Sequence, residues 1–175
     1  MMKFAALGVL LLVATPAMAQ SIGEKTGINA AVGITPTTQD FLTQAAQSVM
    51  FEIQSSQMAL NSANPATKDF AQKMIADHTK TTTELKGALG KGEAPATLPT
   101  AMSSSQQSML TTLKGLRGAD FDKQYHSDQV TAHKDAVSLF QRYGKGGTDA
   151  GLKQWAAKTA PALEHHLQMA QILAK

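Results

Sequence analysis

The sequence contains no cysteine among its 175 residues, which narrows both its chemistry and its means of stabilisation. Disulfide bonds and thiolate metal ligands are therefore excluded, and the fold must be stabilised by packing. Aromatic residues are also scarce, at 5% of the chain, and lysine and arginine form no cluster despite a formal net charge of +3. Nucleic-acid-binding proteins usually show basic patches with aromatic platforms. We therefore predict no nucleic-acid partner.

No apolar run is long enough to cross a bilayer as a helix, which takes about 20 residues. The longest run, Phe4 to Val13, follows a short basic start and precedes Ala17-Met18-Ala19. This order is typical of a secretory signal peptide that is cleaved after a small-x-small ending. We predict a signal peptide at residues 1–19, cleavage after Ala19, a periplasmic or secreted mature protein and no transmembrane segment after cleavage. No feature of the sequence indicates a particular protein partner.

The remaining chain divides into a short tether and one helical domain. Residues 20–36 are rich in glycine, threonine and asparagine and show no periodicity, which predicts a flexible tether. From residue 37 to residue 175, apolar residues recur at three- and four-residue spacing, typical of amphipathic helices. No segment shows the alternation of a strand. We predict an all-α helix bundle with four long helices, beginning near Thr37, Asn64, Asp120 and Asp149, and a long connection with a short helix between the second and third.

Several polar residues occupy helix positions where a bundle normally places leucine or isoleucine. Buried polar groups cost free energy unless they find partners, so these residues are expected to meet in a shared interior. A single histidine on an apolar face is usually a hydrogen-bonded core residue. Histidines on three helices with an acidic residue on the fourth instead resemble the metal sites of bundle cores. The polar residues at core positions are Glu52, His78, Asp122, Tyr125, Gln129, His133 and His166.

The height of these residues along the bundle follows from counting residues outward from each turn. This count places Glu52 level with His78. Counted from Gly146, however, His166 and His133 differ in height by roughly 10 Å. We therefore expect His166 to be level with Tyr125 or His126, with Asp122 to Gln129 as its partners, unless Pro161 kinks the last helix. His126 and His165 fall outside the core positions and are expected to be solvated.

Three motifs resemble a known family. They are Phe70-Ala71-x-x-Met74-Ile75-x-Asp77-His78, Gly118-Ala119-x-Phe121-Asp122-x-x-Tyr125 and Pro161-x-Leu163-x-x-His166-Leu167. Over about residues 38–174 the chain resembles the bacterial domain-of-unknown-function family 4142. The resemblance implies an exported, ferritin-like four-helix bundle with a crossover between helices two and three, and no assigned activity. The recurrent polar positions of the family match Glu52, Asp77, His78, Asp122, Tyr125, Gln129, His133 and His166.

The chemistry of a metal in such a bundle depends on its ligands. Di-iron ferritin-like sites use Glu-x-x-His on two helices, but Ile75, Val130 and Leu163 precede the three histidines at that spacing. A histidine-rich site suits copper or zinc better than iron. Met74 and Met169 would suit copper, although methionine is also an ordinary filler of cores. The predicted metal ligands are Glu52, His78, Asp122, His133 and His166, supported by a polar layer of Asp77, Tyr125 and Gln129.

Three functions are compatible with this pattern. The first is an exported bundle that binds or buffers a transition metal, and the second is a metal-dependent redox enzyme. The third is a structural or stress-related envelope protein whose polar layer only fixes helix packing. No substrate is indicated, so the sequence favours a non-enzymatic protein. Ring nitrogens within about 4 Å of a common point would favour a metal, near the range of metal–ligand spacing.

Overall fold

A computed structural model describes residues 20–89 and 97–175, so the predicted signal peptide lies outside the described residues. Within these ranges the chain forms helices and no strand, and the predicted all-α helical bundle is confirmed. None of the described helices is long and apolar enough to cross a membrane. The helices are α1 (Ile22–Lys25), α2 (Ile28–Ala31), α3 (Thr38–Ala59), α4 (Pro65–Leu89), α5 (Ser104–Gly115), α6 (Gly118–Gly146) and α7 (Ala150–Leu173).

Four long helices pack side by side in the cyclic order α3, α4, α7, α6. Neighbours in this ring run antiparallel. On α3 and α6, for example, Thr38 contacts Tyr143 whereas Ser56 contacts Tyr125. Because α4 and α6 lie diagonally and point the same way, the chain must return along the bundle between them. The described part of this crossover runs along α3, where Gln39 donates a hydrogen bond to the Thr97 carbonyl. Helix α5 then packs against α3 and α6.

The helix starts follow from local side-chain chemistry. Thr37 accepts a hydrogen bond from the backbone N–H of Asp40 at 3.1 Å, and Asp149 accepts one from that of Leu152 at 2.8 Å. Ser103 begins α5 with a capping box. These side chains satisfy backbone donors that have no partner inside the helix. Pro161 lies within α7, which continues through it as one helix.

The N-terminal segment differs from the predicted flexible tether, because it forms α1 and α2 and is anchored to the bundle. Arg142 donates two hydrogen bonds to the Glu24 carboxylate, at 2.8 and 3.2 Å, and a third to the Ile34 carbonyl at 2.6 Å. The backbone N–H of Ser21 also donates to Asp40 at 2.9 Å. A paired guanidinium and carboxylate form strong, directional hydrogen bonds. No local periodicity could reveal this anchor, since Glu24 and Arg142 are 118 residues apart in the sequence.

The core consists of two apolar clusters separated by a polar layer. The first cluster is centred on Phe41, Leu85, Phe140, Tyr143 and Leu163, and the second on Phe51, Phe70, Met74, Tyr125 and Ala170. Along α4, His78 lies between Met74 of the second cluster and Leu85 of the first. Along α7, His166 lies between Leu163 and Ala170 in the same way. The bundle therefore holds its imidazoles midway between two packed ends.

Candidate metal centre

The polar layer brings three histidines from three helices to one point. One ring nitrogen each of His78, His133 and His166 lies within 4.8 Å of the others. The residues are 3%, 1% and 4% exposed. Three atoms this close fit inside a circle of radius about 2.8 Å, whereas metal–nitrogen bonds measure about 2.0–2.1 Å. A movement of each ring by about 0.7 Å would therefore bring all three nitrogens to bonding distance of one ion.

The height expected for His166 is wrong, because His166 and His133 are neighbours with ring centroids 5.5 Å apart. Helices α6 and α7 are in close contact at Gly144, where an added Cβ would lie 3.0 Å from the Cα of Ala157. Counted from this pair, the two histidines differ in height by only about two residues, or roughly 3 Å. Counting from Gly146 assumed that residues equally far from it are level, whereas Gly144 is level with Ala157, 11 residues beyond Gly146, so His166 was placed too far along the bundle.

The hydrogen bond of His133 fixes which of its ring nitrogens is free. Its Nδ1 lies 2.9 Å from the Gln129 carbonyl oxygen. A carbonyl only accepts hydrogen bonds, so Nδ1 carries the proton and Nε2 keeps its lone pair. This Nε2 is buried without a partner. Burial lowers the pKa of His133 to about 4, so the ring is neutral at neutral pH and Nε2 can bind a metal.

His166 is oriented by a carboxylate in a similar way. Its Nε2 donates to Asp77 Oδ2 at 2.8 Å, which leaves Nδ1 buried and without a partner. Burial alone raises the pKa of Asp77, but hydrogen bonds from Lys73 and His166 outweigh it and hold that pKa below its usual value. A histidine that donates its second N–H to a carboxylate is the usual arrangement of metal-binding imidazoles. Asp77 thus occupies Nε2 and leaves Nδ1 as the free nitrogen of His166.

His78 is buried, with 3% of its surface exposed, and neither of its ring nitrogens has a hydrogen-bond partner. Burial and the two neighbouring histidines hold its pKa well below the usual value. A buried polar group without a partner costs about 1–3 kcal/mol, and such groups are rare in native proteins. The ordinary explanation of a hydrogen-bonded core histidine therefore does not apply to His78.

Glu52 adds a carboxyl group to the layer from α3. It is 1% exposed, its Oε1 lies 3.8 Å from His133 Nδ1, and neither oxygen has a hydrogen-bond partner. Burial raises the pKa of Glu52 to about 8, so the group is mostly protonated at neutral pH. A cation beside it would favour the ionised form. Glu52 lies outside the group of three converging nitrogens and approaches His133 at Nδ1, so its position suits a counter-charge beside an ion held by the histidines.

The other residues predicted for the layer do not belong to the group of three histidines. Asp122 is about three turns of α6 from His133, roughly 16 Å, so it cannot share an ion with the histidines, and its charge acts on His126 instead. Tyr125 is hydrogen-bonded to Ser56, and the Gln129 amide donates to a serine of α3. The expectation that Asp122 to Gln129 would partner His166 is therefore wrong, since Asp77 takes that place.

Two histidines outside the core positions behave differently. His165 is exposed, as expected, but His126 is 7% exposed and lies 2.9 Å from the Thr67 hydroxyl. The prediction that His126 is solvated is wrong because α6 is covered on that side by the start of α4. Met74 and Met169 belong to the second apolar cluster and fill the core there.

Asp128 was not among the residues predicted from the sequence. It is 5% exposed and has one carboxylate oxygen without a partner. It lies outside the row of core positions on α6, next to Gln129. Its position seven residues before Asp135, on the same face of the helix, was the only available signal.

A helical bundle with a buried histidine centre is the class that this geometry defines. The family described as "Domain of unknown function (DUF4142)" matches residues 23–173, and the chain belongs to this family. No sequence among curated proteins is significantly similar. A solved structure described as "CopM in the Cu(II)-bound form" has a similar fold, with a TM-score of 0.66 over 80% of this chain and 97% of that one. The two sequences are 16% identical, so the similarity concerns the fold alone.

Proposed function

We propose that this protein is an exported, ferritin-like bundle that binds one transition-metal ion through His78, His133 and His166, with Glu52 as the fourth group. The observation that carries the proposal is the convergence of three buried ring nitrogens within 4.8 Å. The hydrogen bonds of two rings leave a lone pair free, and the third ring has no other partner. The predicted signal peptide at residues 1–19 supports an envelope location.

The donor set favours copper(II) or zinc over iron. Three neutral imidazoles with a single carboxyl group suit copper or zinc, whereas iron sites of the ferritin-like kind use several carboxylates. The similar fold of CopM, described in its Cu(II)-bound form, further supports copper. We therefore propose Cu(II) as the preferred ion and Zn(II) as its competitor.

The burial of the site favours binding or buffering over catalysis. Each histidine is at most 4% exposed, so a substrate in solvent has no direct contact with the ligands. The purely structural alternative requires the polar layer to be satisfied by its own hydrogen bonds. His78 and Glu52 have none. The unpartnered groups of these two residues therefore support a metal-binding site over a purely structural polar layer.

Metal titration of matched histidine variants tests the proposal. Metal-free protein is titrated by calorimetry with Cu(II), Zn(II) and Fe(II), and metal content is measured after dialysis. We expect one Cu(II) per chain, with an affinity at least about 100-fold weaker in His166→Gln, since loss of a ligand costs several kcal/mol. His165→Gln alters an exposed neighbour and is expected to bind like the wild type. Wild-type protein without bound metal, or unchanged binding in His166→Gln, would contradict the proposal.

A further inference from the structure

An ion must reach the buried histidines from outside the bundle, and two sides of the bundle differ in charge. On one side, Asp77 connects His166 to solvent. The ammonium group of Lys73 lies 2.8 Å from the same Asp77 oxygen that accepts the His166 hydrogen bond. A cation approaching along this side meets a positive charge before it meets a ligand.

The opposite side presents a polar cleft of about 600 Å³ between α3, α5 and α6. Its described lining carries two charged side chains, Asp135 and Glu24. The second is paired with Arg142, so the carboxylate of Asp135 is the remaining charge. The rest of the polar lining consists of amide and hydroxyl groups. These are oxygen donors of the kind that replace water around a cation.

Three polar residues of α3 and α6 carry buried oxygen atoms that have no hydrogen-bond partner. They are Glu52, Asp128 and Gln129, which are 1%, 5% and 0% exposed. Each of these residues lies three or four positions along its helix from a residue that lines the cleft: Glu52 from Ser48, Asp128 from Thr131 and Gln129 from Ala132. Asp128 is also close enough for its charge to act on Glu52. The three residues therefore lie on the faces of α3 and α6 that border the cleft, and Glu52 Oε1 is 3.8 Å from His133 Nδ1.

We propose that Asp128 and Gln129, beside Glu52, form an oxygen-lined transit position, through which a divalent cation passes from the cleft to the three histidines. The proposal rests on the proposed function and adds the route of the ion. In this position carboxylate and amide oxygens replace part of the hydration shell, and the imidazole nitrogens then replace the oxygens. Because a transit position is left behind in the final complex, it changes the rates of binding and release by the same factor. The affinity stays constant.

Stopped-flow kinetics with CuCl₂ test this route. Binding is followed through the fluorescence of Trp155, the single tryptophan of the chain, and release through transfer to excess chelator. We expect Asp128→Asn to slow both rates about tenfold, equivalent to about 1.4 kcal/mol in the barrier, and to leave the dissociation constant within about threefold. Asp135→Asn, at the rim, is expected to slow binding about two- to fivefold at low salt and less at high salt.

Asp69→Asn is the matched control, because Asp69 is an exposed aspartate on α4 and the substitution changes the net charge equally. It is expected to leave the rates unchanged. The route is wrong if Asp128→Asn and Asp135→Asn both bind as fast as this control, or if Lys73→Met accelerates binding. Should Asp128→Asn fail to fold, Asp135→Asn carries the test. A wild-type protein that binds no Cu(II) would instead refute the proposed function itself.

Discussion

Replacing His78 with leucine is expected to stabilise the metal-free protein and to abolish metal binding. Both ring nitrogens of His78 are buried without a partner, so the imidazole is unfavourable there when no ion is present. Removing one unsatisfied buried polar group is worth about 1–3 kcal/mol, and leucine has a similar volume. For a domain of this size, that gain raises the melting temperature by about 2–10 °C.

Metal reverses this order of stability. An ion at about 1,000 times its dissociation constant stabilises the wild type by about 4 kcal/mol and gives nothing to a variant that cannot bind it. In thermal unfolding followed by circular dichroism, the order of the two melting temperatures is therefore expected to reverse when Cu(II) is added. His78→Leu melts above the wild type in chelator and below it in Cu(II). A ligand role and a structural role predict opposite signs for the metal-free protein.

The matched control is His126→Leu, the same substitution at a buried histidine that is hydrogen-bonded. Its Nε2 lies 2.9 Å from Thr67, so leucine leaves that hydroxyl unpartnered and is expected to cost about 1–3 kcal/mol. Metal binding is expected to remain. The reasoning is refuted if His78→Leu destabilises the metal-free protein as much as His126→Leu does, or if Cu(II) still raises its melting temperature.

Two further substitutions test the carboxyl group and the helix register. Burial raises the pKa of Glu52 from 4.5 to about 8, so between these pH values the folded state holds a proton that the unfolded state has released. The contribution of Glu52 to metal-free stability is therefore expected to fall as pH rises from about 4.5 to about 8 and to level off above. Glu52→Gln should remove this slope in denaturation at several pH values. Gly144→Ala is expected to cost about 1–3 kcal/mol and to weaken Cu(II) binding, because the new Cβ would lie 3.0 Å from Ala157. Gly87→Ala, where nothing lies within 4 Å, should instead stabilise α4 by up to about 1 kcal/mol; equal effects at both glycines in urea unfolding would contradict the close packing.

The periodicity of the sequence predicted which residues face the interior but not their height. The inward positions of Glu52, His78, His133 and His166 follow from spacing along single helices, and all four are buried. Their relative height depends on how α6 packs against α7, which is set by the contact at Gly144. A glycine allows close approach of two backbones, yet nothing in the sequence states which residue it meets.

Residues outside the regular core positions were harder to place. Asp77 is half-exposed on α4 and was indicated only by the family resemblance, although it orients His166. The pairing of Glu24 with Arg142 is long-range, so no local pattern showed that the N-terminal segment is anchored to the bundle. Both cases depend on a side chain that reaches across to another element, and periodicity within one element carries no information about such contacts.

The division of the core into two apolar clusters has a consequence for cooperativity. Each cluster gains stability from its own packing, whereas the layer between them contributes unpaired polar groups when no ion is present. Regions joined by so weak a layer can open as separate units in hydrogen exchange. In the metal-free protein we expect the two ends to exchange with different free energies of opening. A single ion joining α4, α6 and α7 should merge them into one cooperative unit.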